Sequence, residues 1–101
     1  MNAWIEFDEK KRLETLRARG LDMALAGEVF AGPILAIPDD RRDYGEKRCI
    51  TIGYFDMAMV VIVWTSRNEK IRIISMRKAN ERERKLYEPR LRPGHRPGPE
   101  S

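Results

Sequence analysis

Apolar positions follow two periods along this 101-residue chain, and the change of period divides it. The first stretch, Ala3–Phe7, carries Trp4, Ile5 and Phe7 and reads as a short strand. Asp8 then stands where a helix N-cap belongs, ahead of EKKRLETLRAR and a Gly20 stop. Leu13 and Leu16 give this helix a narrow apolar stripe, so it is expected to lie on a sheet with most of its surface wet. Asp22 can cap a second helix over Met23–Ala31. Met23, Ala26, Val29 and Phe30 share one of its faces, and Gly32-Pro33 ends it.

After Pro33 the period becomes that of strands. Ile34–Ile37, bounded by Pro38, suits a sheet edge, and Asp39–Lys47 is a polar loop. Arg48–Phe55 alternates, with Ile50, Ile52 and Tyr54 on one side and Cys49, Thr51 and Gly53 on the other. Met57–Trp64 is apolar on both faces and belongs in the middle of the sheet. Short links at Asp56 and at Arg67–Glu69 predict an antiparallel meander whose last strand starts at Lys70. Asn80 and Glu83 have capping-box spacing, and Glu81 with Lys85 forms a favourable helical pair. Only Leu86 and Tyr87 offer this third helix an apolar anchor, so it is expected to dock by its end. Residues 89–101, rich in Pro, Gly and Arg, are expected to form a disordered tail on a single 1–88 domain. The order β-α-α-β-β-β-β-α predicts an α+β fold. Its sheet is mostly antiparallel, with two N-terminal helices on one face and a short C-terminal helix.

Hydrophobic content of 42% against 36% charged residues fits a soluble small domain with one core. The longest apolar run, Met57–Trp64, is too short for a membrane span, and the N-terminus has no signal-peptide core. A single cysteine, Cys49, excludes an intramolecular disulfide and points to a reducing, cytoplasmic setting. The net charge of +4 is uneven. Between Arg67 and Arg92 there are ten Lys/Arg against four Asp/Glu, and elsewhere ten against twelve. Such a basic stripe on a sheet fits a phosphate-binding surface, a solvated face or a contact for an acidic partner.

The available chemistry is narrow. His95, the only histidine, lies in the tail, and Cys49 has no histidine partner. No glycine-rich phosphate loop or Cys/His cluster occurs, and Asp39, Asp40, Asp43 and Glu46 lack EF-hand spacing, so they read as a hydrated turn. No metal or cofactor is expected. What remains is cationic: Lys11, Arg48, Arg67, Arg72 and Arg77 among others. Arginine can clamp a phosphate and stabilise charge that develops on it, but holds its proton too firmly to act as a base. Glu46 or a lysine would have to move protons. An RNA 2′-hydroxyl can attack its own phosphate without a metal, so RNA cleavage is the reaction these side chains can support; plain binding needs fewer assumptions. Arg72 and Arg77 are five residues apart and face opposite sides of an unbroken strand, so a bulge or the strand end must re-aim one, or one is structural. A structural role at the sheet edge suits Arg72 as well as a functional one, and the same holds for Tyr87 as a helix anchor.

From Phe7 to Tyr87 the chain resembles the BrnT toxin family. The resemblance lies in Asp8 with Lys11, the helix break at Arg19-Gly20, Val29-Phe30 before Pro33, and Asp39 or Asp40. It continues through Gly45-Glu46-x-Arg48, Gly53, and above all Arg72-Ile73-Ile74-Ser75-x-Arg77-x-Ala79 with Glu83, Arg84 and Tyr87. Each piece is weak alone, and the combination is specific. The resemblance implies a small bacterial ribonuclease toxin with a RelE-like fold, and the side chains present suit an endoribonuclease that cleaves without a metal. It also implies neutralisation by a BrnA-like antitoxin with a ribbon-helix-helix DNA-binding domain. The expected assembly is a 2:2 complex that reaches operator DNA only through the antitoxin. Carried over by position, Lys11, Glu46, Arg48, Arg72 and Arg77 would line the RNA-cleaving surface, with Tyr87 at its edge. Thr15, Arg19, Met23 and Gly32 depart from residues usual in the family (asparagine, histidine, phenylalanine and aspartate). Loss of the histidine matters most, and it keeps a degenerate, partner-binding toxin or a non-catalytic RNA-binding module as rival readings.

Overall fold

The computed structural model describes residues 4–41, 43 and 45–91. Its elements are β1 (Ile5–Glu6), α1 (Glu9–Arg19), a 3-10 turn (Met23–Leu25) and α2 (Ala26–Phe30). They continue with β2 (Leu35–Pro38), β3 (Arg48–Phe55), β4 (Ala58–Arg67), β5 (Lys70–Lys78) and α3 (Glu81–Leu91). The strands form one five-stranded sheet in the order β1-β5-β4-β3-β2, so β4 is central and β2 is an edge, as their apolar patterns predict. β2 to β5 pair antiparallel in succession, while β1 joins β5 in parallel through Ile5 and Glu6 alone. The fold is α+β with a mixed sheet.

Two tight turns set the register of the meander. Asp56 and Met57 have φ of 51° and 67°, and Asn68 and Glu69 have 52° and 63°. Paired positive φ values are the signature of the type I′ turn, whose twist matches that of the flanking strands. Met57, expected inside the strand, is therefore a turn residue and is 95% exposed.

Strand alternation gives the sheet two apolar faces. On one, Val60, Ile62, Ile73 and Met76 pack against Met23, Ala26 and Val29. Gly53 lets α2 come this close. A Cβ there would lie 2.7 Å from Val29 Cγ1 and 3.0 Å from Ile34 Cγ2, where no side chain fits without movement. On the other face, Ile52, Met59 and Val61 pack with Ala79 and Leu91.

The helices keep their expected caps and α1 its expected wet surface, and they differ from expectation in what holds them. α1 buries no residue, and Leu13 and Leu16 remain 43% and 38% exposed. Two leucines are too narrow a stripe to hold a helix, and polar tethers do it instead. Asp8 accepts from the Lys10 amide, Gly20 closes the end at φ 70°, and Arg12 binds both Asp22 (2.8 Å) and Glu9 (2.8 Å). The hydrogen bonds from Arg12 hold the Asp22 carboxyl below its usual range. The second helix divides into the 3-10 turn and the five-residue α2. α3 opens with the expected reciprocal cap: Asn80 N donates to Glu83 Oε1 (2.9 Å) and Glu83 N to Asn80 Oδ1 (2.8 Å). Of the two expected anchors Tyr87 packs against the core on that second face while Leu86 stays 58% exposed, and Leu91, 3% exposed, joins Tyr87. The helix therefore carries Pro89 and runs three residues past the expected boundary at 88, because burying Leu91 needs the extra turn. The rest of the expected tail, with His95, lies outside the described residues.

Candidate functional site

The site begins with a bulge in β5. Val63 pairs with Ser75 and Trp64 with Ile73, so Ile74 has no partner on β4. One extra residue reverses the alternation, and Arg72, Ser75 and Arg77 come to share a face with Thr65, Val63 and Val61. The parity conflict between the two arginines is removed by this single residue.

Cross-strand rows follow from the pairing. In the first, Arg48 on β3, Thr65 on β4 and Arg72 on β5 lie side by side, with Glu6 of β1 beyond Arg72. Thr65 is small and buried, and its hydroxyl donates to Lys47 O (2.7 Å), which pins the end of the polar loop beneath this row. The two arginines thus flank a short side chain, two strand spacings or about 10 Å apart at the backbone. A cavity of about 220 Å³ opens there, lined by Asp8, Lys11, Glu46, Arg48, Thr65, Arg67 and Arg72, with Ile73 and Ile74. It gathers Lys11, Glu46, Arg48 and Arg72, four of the six residues singled out in the sequence. It adds Arg67, Thr65 and Asp8, which the strand rows and the start of α1 deliver.

Its charges are partly paired. Arg72 Nη1 meets Glu6 Oε1 at 3.0 Å, and Arg48 Nε meets Glu46 Oε2 at 3.0 Å. The Arg72 contact uses one of its donors and fixes the guanidinium without consuming it. Lys11 and Arg67 form no ion pair within the described residues. Four cations against the lining carboxylates Asp8 and Glu46 leave the cavity positive.

Arg77 and Tyr87 lie in a second cavity, of about 330 Å³, on the same face. Both Nη atoms of Arg77 hold Glu83, at 2.8 and 2.7 Å. Hydrogen bonds from Arg77, with help from the Asn80 amide, bring the Glu83 carboxyl down to about 2. Arg77 therefore ties the start of α3 to the sheet. The larger cavity near β2, about 710 Å³, sets Asp39, Asp40, Asp43 and Glu46 against Lys47 and Arg48, so carboxylates outnumber cations among its lining residues and it suits a polyanion less well. Asp39 is no hydrated turn residue: its carboxylate is buried and bound by Arg41 Nε at 2.7 Å. Cys49 is a half-buried free thiol. Arg19 extends from the end of α1 to the outer edge of β5, where Nη1 donates to Met76 O at 2.9 Å, so it serves as a tether. Among the described residues no cluster of His, Cys, Asp and Glu is arranged to hold a metal ion. No helix among them is long and apolar enough to cross a membrane.

Residues 7–83 match the family described as "Ribonuclease toxin, BrnT, of type II toxin-antitoxin system". The chain belongs to the BrnT family. No curated protein sequence matches it. Membership means a ribonuclease toxin of a type II system, hence an RNA target and an antitoxin partner. The match spans every lining residue of the basic cavity and ends at Glu83, before Tyr87.

Proposed function

We propose that this BrnT-family chain is a metal-independent endoribonuclease whose reaction occupies the basic cavity. The observation that carries this is the Arg48–Thr65–Arg72 row with Lys11 and Glu46 around one opening. A phosphodiester resting over Thr65 meets a guanidinium on each side, the geometry that best stabilises charge growing on the non-bridging oxygens. RNA supplies its own nucleophile. The 2′-oxygen attacks phosphorus and gives its proton to the Glu46 carboxylate. The bond to the 5′-oxygen breaks, and that oxygen takes a proton from Lys11. The products are a 2′,3′-cyclic phosphate and a 5′-hydroxyl. Arg77, committed to Glu83, acts by holding α3 rather than by touching the phosphate. The architecture suits a RelE-like relationship, and the toxin is neutralised in the cytoplasm of its bacterium by a BrnA-like ribbon-helix-helix antitoxin in a 2:2 complex.

A non-catalytic, partner-binding role has one observation in its favour: Arg48, Arg72 and Arg77 all meet carboxylates of the chain itself. Incubation of purified protein with labelled RNA in excess EDTA separates the two. Cleavage that leaves 2′,3′-cyclic phosphate ends is the expected result. Folded protein that binds RNA and yields no product, on naked RNA or on translating ribosomes, would favour the partner-binding role.

A further inference from the structure

The 330 Å³ cavity has no part in the proton and phosphate chemistry above, and its composition differs sharply from that of its neighbour. One row along from Arg48–Thr65–Arg72 lie Ile50, Val63 and Ser75, with Ile37 beyond them on β2. Ile37, Ile50 and Val63 form an apolar floor that ends at the hydroxyl-bearing Ser75, and the half-buried ring of Tyr87 from α3 lines the same cavity. The step between rows is two residues, about 7 Å along the strands. That is roughly the reach from a backbone phosphate to the base of its own nucleotide.

The charges at the two places also match the two parts of a nucleotide. Around the floor, each cation has a carboxylate partner: Arg77 holds Glu83, and Arg41 holds Asp39. A second phosphate would find less positive charge there: Arg41 and Arg77 against Glu83 among the lining residues, where the basic cavity sets Lys11, Arg48, Arg67 and Arg72 against Asp8 and Glu46. A base has no charge, two apolar faces and a polar edge. It would find aliphatic side chains below, an aromatic ring beside it, and a Ser75 hydroxyl at the rim. We infer that this cavity is a base-binding subsite, holding one unstacked base of a single-stranded RNA whose phosphate lies in the basic cavity. The inference rests on the ribonuclease reading of that neighbouring cavity and adds to it the means of grasping a base. It also gives Tyr87 a role: the residue positions substrate through its ring and transfers no proton.

The test uses a short 2′-fluoro oligoadenylate, which has no attacking hydroxyl, and the same oligomer with abasic sugars. Binding of both to the full chain is measured at one salt concentration. The intact oligomer is expected to bind about tenfold more tightly, the scale of one base–aromatic stack. Tyr87→Ala should erase this preference, and Tyr87→Phe should keep it. Because Tyr87 also packs against the core, Val63→Gln provides a second variant that leaves α3 in place. It should reduce the preference about threefold, with an unchanged circular-dichroism spectrum. Equal binding of the two oligomers, still weakened by salt, would overturn the base subsite and leave the phosphate site standing. Failure of both oligomers to bind would overturn the RNA reading of the whole face, and this inference with it.

Discussion

Arg72 and Arg77 share a strand, a face and a residue type, yet their surroundings differ. Arg72 makes one 3.0 Å contact with Glu6 and lines a cavity with two cations, Lys11 and Arg67, that form no ion pair among the described residues. Arg77 has both terminal nitrogens committed to Glu83 beside an apolar floor. A monodentate carboxylate takes one of an arginine's five donors, whereas a bidentate one takes two and fixes the plane of the guanidinium. The comparison teaches that an arginine's availability depends on the geometry of its carboxylate, and a count of basic residues does not reveal it.

The largest expected effect tests this contrast directly. Arg72→Ala should lower RNA cleavage by roughly a hundredfold, about 2.7 kcal/mol of transition-state stabilisation, with a smaller fall in melting temperature than Arg77→Ala, because a single contact to Glu6 is lost. Arg77→Ala should do the reverse. It leaves Glu83 and the α3 cap without their partner, and costs about 1–2 kcal/mol for a half-exposed pair. In a domain of this size that lowers the melting temperature by roughly 5–10 °C, while cleavage per folded molecule falls much less. If Arg77→Ala instead abolished cleavage in a protein of undiminished stability, the assignment of roles would be reversed.

Acid sharpens the same point with a smaller effect. The Glu83 carboxyl titrates near 4.5 in the unfolded chain and near 2 in the fold, so its contribution is complete above pH 4.5. It is lost as pH falls from 4.5 towards 2, because the unfolded chain takes up the proton first. Asp22, also held low, loses its contribution in the same direction. Denaturant titrations across this range should show a slope that is shallower in Arg77→Ala than in wild type. Parallel slopes would mean that the pair does not govern acid stability.

The face away from the site offers a control. Gly53→Ala places a methyl group 2.7 Å from Val29 Cγ1 and should destabilise the fold by about 1–3 kcal/mol through overpacking. Residual cleavage should follow the folded fraction alone, because the change lies beneath α2 and outside both cavities. A specific loss of activity in folded Gly53→Ala protein would show that the two faces are coupled.

What the sequence determined by itself is what short-range patterns encode. The alternation in Arg48–Phe55 places Ile50 and Ile52 on one face and Thr51 and Gly53 on the other, and the doubly apolar β4 takes the centre. The caps at Asp8, Gly20 and Asn80–Glu83 form as written, because each depends on residues a few positions apart. Family membership is likewise a property of residue order, and the resemblance proposed Lys11, Glu46, Arg48, Arg72, Arg77 and Tyr87 as site residues, of which the first four share one cavity. Only the tertiary structure decided what distant residues do to one another. No local signal marks Ile74 as the bulge, since the bulge exists only relative to β4. Nor does any local signal pair Arg72 with Glu6, extend Arg19 to Met76 O or make Leu91 an anchor of α3. These contacts span dozens of residues, and their energies depend on exposure and angle. Which arginine meets one carboxylate oxygen and which meets two is therefore settled when the sheet closes.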